Sequence, residues 1–237
     1  MASADSLKRS RVESRTARLI ASRFPIVGVF DDIARDQDDL RAAFQLDEMT
    51  NGRLQPYLRL RAIPEGGLAI GPTASVVMAA FLHYGDTGGR FNDGKLGAWY
   101  AATDIETAIA ETVYHNDRRL RASASGFPNR IQMRELIADV DIELLDLRDL
   151  RAARPELYLP DNYSQSQAFA MQLRWPFAAS PEDGLVYSSV RRPGGTNICI
   201  FRPTGVPLPI IQGRRYEYAW DAGGNLEVML LTRISLS

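Results

Sequence analysis

The sequence predicts a single domain of the α/β (α+β) class, with a helical N-terminal extension over residues 1–50 and a main domain over residues 51–237. Three observations carry this prediction. A capping box followed by a 3.6-residue apolar period predicts a helix in the middle of the chain. After residue 130 the pattern changes to short strands. No repeat, low-complexity tract or linker divides the chain, and 237 residues suffice for one substantial domain.

The N-terminal part is expected to be helical. Residues 5–23 are predicted to form a polar helix that carries Val12, Ala17, Leu19, Ile20 and Ala21. An acidic run at residues 31–39 leads into residues 40–44, which are predicted as a second helix or helix pair with solvated faces. Residues 73–83 are apolar and Ala-rich, and they predict a further short helix.

The middle of the chain holds the longest predicted loop, residues 85–97, which is rich in Gly, Asp and Asn. A short strand is predicted at residues 98–102. Thr103 is expected to cap the next helix, because Glu106 follows three residues later, as a capping box requires. That helix is expected to extend to His115 or further.

The C-terminal half is expected to consist mainly of strands. The apolar runs at residues 142–147, 184–190 and 197–201 each predict one, with a helical or irregular stretch around residues 165–175. A Gly-containing turn at residues 221–225 separates two alternating segments that end at residue 234, and this pattern predicts a hairpin.

The composition narrows the function classes. Twenty-eight basic and 29 acidic residues leave a formal net charge of −1. This balance argues against a general nucleic-acid coat protein, but it leaves room for a small basic pocket for one anionic ligand. No stretch approaches the roughly 20 apolar residues of a membrane span. Neither a nucleic acid nor a membrane is therefore an expected partner.

The compartment is expected to be the cytoplasm. The single cysteine, Cys199, lies in an apolar run, and a small buried thiol there suits a reducing compartment. Residues 1–23 lack the apolar core of a secretory signal. An organelle transit peptide is the alternative for this Arg- and Ser-rich start, but Asp5 and Glu13 argue against it.

Neither a metal site nor a phosphate loop is expected. His83 and His115 lie 32 positions apart, and Cys199 is distant from both, so no zinc-ligand spacing is present. Gly88-Gly89-Arg90 has neither the G-x-G-x-x-G nor the G-x-x-x-x-G-K-[ST] spacing of nucleotide-binding loops.

Arg90 and Glu111 are the first candidates for chemistry. The guanidinium of Arg90 follows two glycines, and its planar fork suits a phosphate. A surface arginine paired with Asp86 or Asp93 is an equally good interpretation. Glu111 lies outside the apolar stripe of its helix, so it is either an ordinary solvated residue, which is the more common case, or the rim of a cleft.

Ser189 is the third candidate. Alternation in the predicted strand puts Tyr187, Ser189 and Arg191 on one face. A hydroxyl beside an arginine could orient a carboxylate or touch a ligand, although such a serine more often fills an edge position. Because Gly-x-Ser-x-Gly is absent, a hydrolase-type serine nucleophile is not expected.

Four segments together resemble the RES-domain family, which is named for an Arg, a Glu and a Ser. In chain order they are Gly89-Arg90-Phe91-Asn92, Gly97-Ala98-Trp99-Tyr100-Ala101-Ala102, Glu106-Thr107-Ala108-Ile109-Ala110-Glu111-Thr112 and Tyr187-Ser188-Ser189-Val190-Arg191. The resemblance covers roughly residues 50 to 205. It implies a fold like that of the ADP-ribosyltransferases, and it implies an NAD-degrading toxin of a bacterial toxin–antitoxin pair, with a helix-turn-helix antitoxin that covers the active site.

The resemblance also assigns roles to residues. Arg90, Glu111 and Ser189 match the Arg, the Glu and the Ser, with Ser188 as the alternative for the last. Tyr100 matches an aromatic residue of the nicotinamide pocket, and Phe91 and Asn92 belong to the same substrate-binding set. Arg53 or Arg191 could help to bind phosphate.

The implied reaction breaks the nicotinamide–ribose bond of NAD, which is a substrate, so no cofactor is expected. The acceptor would be inorganic phosphate or water. ADP-ribosyl transfer to a protein or nucleic acid is one alternative, and a non-catalytic binding module of the same fold is another. A homo-oligomer is compatible with this interpretation.

Overall fold

A computed structural model describes residues 7–24, 36–42, 54–85, 87–232 and 234. The strands are β1 (Arg9–Ala21), β2 (Trp99–Ala102), β3 (Asn129–Asp146), β4 (Gly184–Ser188), β5 (Thr196–Ile200), β6 (Ile211–Trp220) and β7 (Leu226–Leu231). The helices are α1 (described over residues 37–42), α2 (Leu54–Arg61), α3 (Ala74–Leu82), α4 (Ile105–Arg121) and α5 (Ser164–Met171). The predicted mixed α/β class is confirmed.

The seven strands form one mixed sheet in the order β1-β2-β5-β4-β3-β6-β7. Strand β1 also pairs with β3, so the first five strands of this order close into a ring. The β3–β4 pair is parallel, and the other pairs are antiparallel. The β6–β7 hairpin, which the sequence predicts, extends the sheet beyond β3.

The predicted helix over residues 5–23 is wrong, because residues 9–21 form strand β1. Thirteen consecutive residues of β1 pair with β3, from Arg9 opposite Leu145 to Ala21 opposite Met133. Arg, Ala and Glu favour a helix locally, but this long ladder overrides a weak local preference. The described start of the chain thus lies inside the sheet, and the division at residue 50 stays a prediction. Residues 40–42 are helical as predicted, while residues 43 and 44 lie outside the described residues.

Helix α4 begins one residue later than the capping box predicts. The N-cap is Asp104, whose carboxylate accepts hydrogen bonds from the backbone N–H and the hydroxyl of Thr107, each at 2.8 Å. Thr103 instead continues the β2 pairing, since its N–H donates to Thr196 O at 3.0 Å. The helix ends at Arg121, beyond His115 as expected.

Two apolar clusters stabilise this arrangement. The larger one joins α3 to strands β1–β5, and its fully buried members include Phe81, Trp99 and Phe201. The smaller one lies under α4, where Ala108 and Leu120 pack with residues such as Tyr218 and Trp220. Helix α4 therefore lies on β1 and β2. No helix in the described part of the chain has both the length and the apolar character that crossing a membrane requires.

Acid sensitivity is expected at Asp146, at the end of β3. Its carboxylate accepts hydrogen bonds from Ser10 Oγ at 2.7 Å and from Arg148 Nε at 2.9 Å, and the bond from Arg148 is the main cause that lowers the pKa of Asp146 to about 2. An unfolded Asp titrates near 3.9. Because the pKa of Asp146 is lower in the folded state, the hydrogen bonds to its ionised carboxylate stabilise the fold above about pH 4. This stabilisation is lost as the pH falls towards 2.

Asp146→Asn should therefore remove about 2 kcal/mol of the acid-induced decrease in unfolding free energy. Urea unfolding at pH 4.5 and pH 2.5 measures this decrease. Asp139→Asn, at an exposed position of the same strand, is the control. Equal pH dependence of wild type and Asp146→Asn would contradict the prediction.

Candidate functional site

A cleft of about 630 Å³ opens where α4 faces the residue 87–90 loop and residues 161–167. Its floor consists of small side chains from β1, β2 and α4, namely Ala17, Ala101, Ala102 and Ala108. Its walls carry tyrosines and charged groups, namely Tyr84, Tyr100, Tyr163, Tyr187, Arg18, Arg90, Glu111, His115, Arg118 and Asp161. The volume suits a ligand of several rings. Three arginines against two carboxylates favour an anionic ligand, although the whole chain is nearly neutral.

Glu111 is held inside this cleft by two hydrogen bonds to one oxygen. Its Oε1 accepts from Ser189 Oγ at 2.7 Å and from Asn197 Nδ2 at 2.8 Å. Among the described residues no hydrogen bond reaches Oε2. The polar face of α4 that carries Glu111 is thus turned towards the cleft. Of the two interpretations of Glu111, the structure agrees with the rim of a cleft and not with an ordinary solvated residue.

Ser189 directs its proton to Glu111. The Ser189 hydroxyl oxygen accepts from the backbone N–H groups of Arg191 at 3.1 Å and of Arg192 at 3.0 Å, so its own O–H is left to donate to Glu111. The Ser189 side chain is buried. The backbone N–H of Ser189 donates to Gly195 O at 2.8 Å, and this bond closes the turn between β4 and β5. Ser188 points elsewhere, since its hydroxyl donates to Arg148 O at 3.3 Å.

Arg90 is buried and not a surface residue. Its Nη1 donates to Leu157 O at 3.1 Å and to Leu159 O at 2.8 Å, and its guanidinium lies 4.7 Å from the centre of the Tyr163 ring. Asp93, one proposed partner, is instead paired with Lys95, and Asp86, the other, lies outside the described residues. Arg90 therefore joins residues 87–92, the glycine loop, to residues 157–163.

Tyr100 organises the glycine loop from β2. Its hydroxyl donates to Asn92 Oδ1 at 2.8 Å and accepts from Phe91 N at 2.9 Å. Burial raises the pKa of Tyr100 well above its ordinary value, so the phenol stays protonated and keeps this donor. Gln167 adds three bonds from its Nε2 to carbonyls of the same loop. A Cβ at Gly89 would lie 2.6 Å from Tyr84 Oη, which explains the glycine.

The remaining predicted residues lie elsewhere. Phe91 and Asn92 are fully buried behind the cleft wall, where Phe91 packs edge-on against Tyr187 at 4.9 Å between ring centres. Arg191 places its guanidinium 3.2 Å from the Tyr114 ring centre and donates to Pro160 O, and it is not among the residues that line the cleft. Arg53 lies outside the described residues.

Asn197 and Arg18 are site residues that the sequence did not single out. Asn197 lies on β5 opposite Tyr187, and it carries no recognisable motif. Arg18 Nη1 donates to Tyr100 O at 2.9 Å, and its guanidinium lies 5.0 Å from the Trp99 ring. Burial lowers the pKa of Arg18, and within the described residues no carboxylate forms an ion pair with it. In the sequence Arg18 is flanked by the apolar residues Ala17 and Leu19, and this was the signal that could have marked it.

The described residues contain no group of three or more His, Cys, Asp or Glu side chains that could hold a metal ion. The cleft offers a ligand arginine and tyrosine side chains together with the Glu111 carboxylate.

Comparison with known proteins gives three findings. The RES domain family matches residues 69–221. A protein of Sinorhizobium fredii (strain NBRC 101917 / NGR234) named y4oC is 30% identical over 226 residues, which span 92% of this chain and 84% of the relative. A chain in the crystal structure of the M. tuberculosis MbcT–MbcA toxin–antitoxin complex aligns with a TM-score of 0.43 and 12% identity, over 90% of this chain and 88% of that one.

Proposed function

Since this chain belongs to the RES domain family, we propose that it cleaves the bond between nicotinamide and ribose in NAD. The observation that carries the proposal is the Glu111 carboxylate, which Ser189 and Asn197 hold by one oxygen inside the cleft. Its second oxygen is left for a ligand. A fixed negative charge in a cleft is suited to a reaction that develops positive charge.

The chemistry of the bond fits this arrangement. As the C–N bond breaks, the ribose becomes oxocarbenium-like and positively charged, and Glu111 stabilises that charge by electrostatic attraction. The leaving nicotinamide is neutral, because the electron pair of the broken bond returns to the ring nitrogen. No group is needed to protonate it. Pre-orientation of Glu111 by two neutral donors avoids reorganisation during the reaction.

The walls of the cleft suit the rest of the substrate. Tyr100 offers its ring to nicotinamide, and the alanine floor lets a flat group approach closely. Arg18 and Arg90 lie in the cleft without a carboxylate partner among the described residues, so the pyrophosphate of NAD can satisfy them. NAD is a substrate in this proposal, and no cofactor takes part.

The biological role that we propose is that of a cytoplasmic toxin, whose activity is restrained by a helix-turn-helix antitoxin. The family resemblance supports both parts. NAD loss on expression, and its prevention by co-expression of an antitoxin, are the cellular counterparts of the assay below.

Purified protein incubated with NAD, with and without inorganic phosphate, tests the activity. Free nicotinamide and the ribosyl product are followed by mass spectrometry. Free ADP-ribose identifies water as the acceptor, and ADP-ribose 1″-phosphate identifies phosphate. A modified macromolecule would favour an ADP-ribosyltransferase. No nicotinamide release under any condition would overturn the proposal.

The two neighbouring serines make a matched test of the site. Ser189→Ala removes the donor to Glu111 and leaves two backbone N–H groups without their acceptor. Loss of a hydrogen bond to a charged group costs about 1.5–3 kcal/mol, so nicotinamide release should decrease about 10- to 100-fold. Ser188→Ala should stay within about twofold of wild type. Equal effects of the two substitutions would contradict this assignment.

A further inference from the structure

A second cavity, of about 610 Å³, lies where the C-terminal end of α4 meets the end of β1 and the start of β3. It shares no lining residue with the cleft that holds Glu111. We propose that this second cavity binds a nucleoside monophosphate, with the phosphate held by arginines at its rim. The site is separate from the proposed reaction and does not depend on it.

The cavity arises because β1 is shorter than β3 at this end of the sheet. Strand β1 ends at Ala21, opposite Met133, whereas β3 begins four residues earlier, at Asn129. Beyond the bond from Ser22 N–H to Gln132 O at 2.8 Å, the edge of β3 lines the cavity. Strand alternation directs the N–H and C=O of residue 130 to the same side as Gln132 O. The edge thus offers a ligand one donor and one acceptor.

The charge that lines the second cavity is positive. Arg23, Arg119 and Arg130 line it, and none of its described lining residues is Asp or Glu. The guanidinium of Arg23 lies 5.1 Å from the centre of the Phe24 ring, and Arg119 donates to a neutral side-chain amide. Arg130 pairs with Glu217, but its side chain is 69% exposed, so this ion pair is weak. In a chain with a net charge of −1, such a local excess favours an anionic ligand.

The C-terminal end of α4 does not present free carbonyl groups that would repel an anion. Arg118 O accepts from the backbone N–H of Ala122 at 3.1 Å. Leu120 O accepts from both the N–H and the hydroxyl of Ser123, each at 3.1 Å. The negative end of a helix dipole resides on unsatisfied carbonyls, so these bonds reduce its effect on the cavity.

Ser22 shows most directly that a partner is missing. Its Oγ is buried and has no hydrogen-bond partner among the described residues, although Ser22 lines the cavity. A buried hydroxyl without a partner is unfavourable, and a ligand oxygen would accept its proton.

The rest of the lining suits the nucleoside. Asn129 and Gln132 bring side-chain amides, which can donate to and accept from the edge of a base, and Leu120 and Ile131 add apolar surface. The volume lies in the range of sites for small organic molecules. A phosphate that carries an organic group therefore fits better than inorganic phosphate alone.

Isothermal titration calorimetry with uridine and guanosine 5′-monophosphates tests the site, since neither carries the adenine of NAD. At least one of them should bind more tightly than inorganic phosphate, and the free nucleosides should not bind, because the arginines recognise the phosphate. Binding of inorganic phosphate as tight as that of both nucleotides would overturn the assignment of a nucleotide.

Arg23→Ala should weaken nucleotide binding about tenfold or more, because a charge-assisted hydrogen bond is lost. Arg15→Ala is the matched control. It removes the same charge from an exposed position of β1, where Arg15 pairs with Asp139 at 3.8 Å, and it should change the affinity by less than about twofold. Equal weakening by both substitutions would indicate a diffuse charge effect and overturn the site.

Ser22→Ala separates binding from folding. Because Ser22 Oγ has no partner to lose, the melting temperature should not fall, while the affinity for the nucleotide should decrease about fivefold. A lower melting temperature with unchanged affinity would assign the hydroxyl to the fold and overturn its role in binding.

His115→Ala distinguishes the two cavities, because His115 lines the cleft and not the second cavity. Nucleotide binding should be unchanged in this variant. Loss of binding in His115→Ala, with retention in Arg23→Ala, would place the nucleotide in the cleft and overturn the inference. A single-stranded RNA that binds through Arg23 while neither nucleotide binds would also overturn it. These measurements need no nicotinamide release, so failure of the proposed reaction would leave the site standing.

Discussion

Replacement of Glu111 by Gln is expected to lower the rate of nicotinamide release by about 100- to 1,000-fold, as removal of one preorganised electrostatic contact does in other enzymes. The carbonyl oxygen of Gln can still accept from Ser189 and Asn197, so the geometry is retained. Only the negative charge is lost, and this charge is what stabilises the ribosyl cation. A continuous assay of nicotinamide with saturating NAD measures the effect.

Glu106→Gln provides the control on the same helix. Glu106 is an exposed residue in the first turn of α4, so its substitution should change the rate by less than about twofold. Thermal unfolding should show Glu111→Gln within about 1 kcal/mol of wild type. A Glu111→Gln protein that folds normally and keeps the wild-type rate would remove Glu111 from the site.

Replacement of Gly97 by Ala is expected to destabilise the fold by about 3 kcal/mol or more. A Cβ at this position would lie 2.1 Å from the carbonyl oxygen of Ala80 and 2.9 Å from the Cα of Phe81. The N–H of Gly97 donates to Phe81 O at 2.8 Å. The chain therefore cannot move away from the end of α3 without loss of that bond. The same segment leads from the glycine loop into β2.

The melting temperature of Gly97→Ala should fall by about 6–12 °C, on the scale for chains of this length. Gly85→Ala is the matched control, because nothing lies within 4 Å of a Cβ built there, and it should leave the melting temperature nearly unchanged. If Gly97→Ala and wild type have the same melting temperature, the chain at Gly97 does not pack against the end of α3 as closely as described.

Much of the fold could be predicted because the signals are local. Residues 73–83 contain the described helix α3, and the Gly-containing turn at residues 221–225 marks the β6–β7 hairpin. Strand β1 could not be predicted, because its stability comes from pairing with β3, more than 100 residues away. The helical preference of its residues is local and weak, so a prediction from the neighbours of each residue fails there.

The candidate site divides in the same way. Arg90, Tyr100, Glu111 and Ser189 were identified by their order in the chain, since that order matches a family, and the structure brings them to one cleft or to direct contact with it.

Chain order could not identify Asn197 or Arg18, because what links Asn197 to Glu111 and Arg18 to Tyr100 is the closed ring of strands. The sequence by itself thus determined which bond the protein is proposed to break. Only the tertiary structure decided how Glu111 is held and which charges surround it, because hydrogen bonds and burial depend on distances between segments that are far apart in the chain.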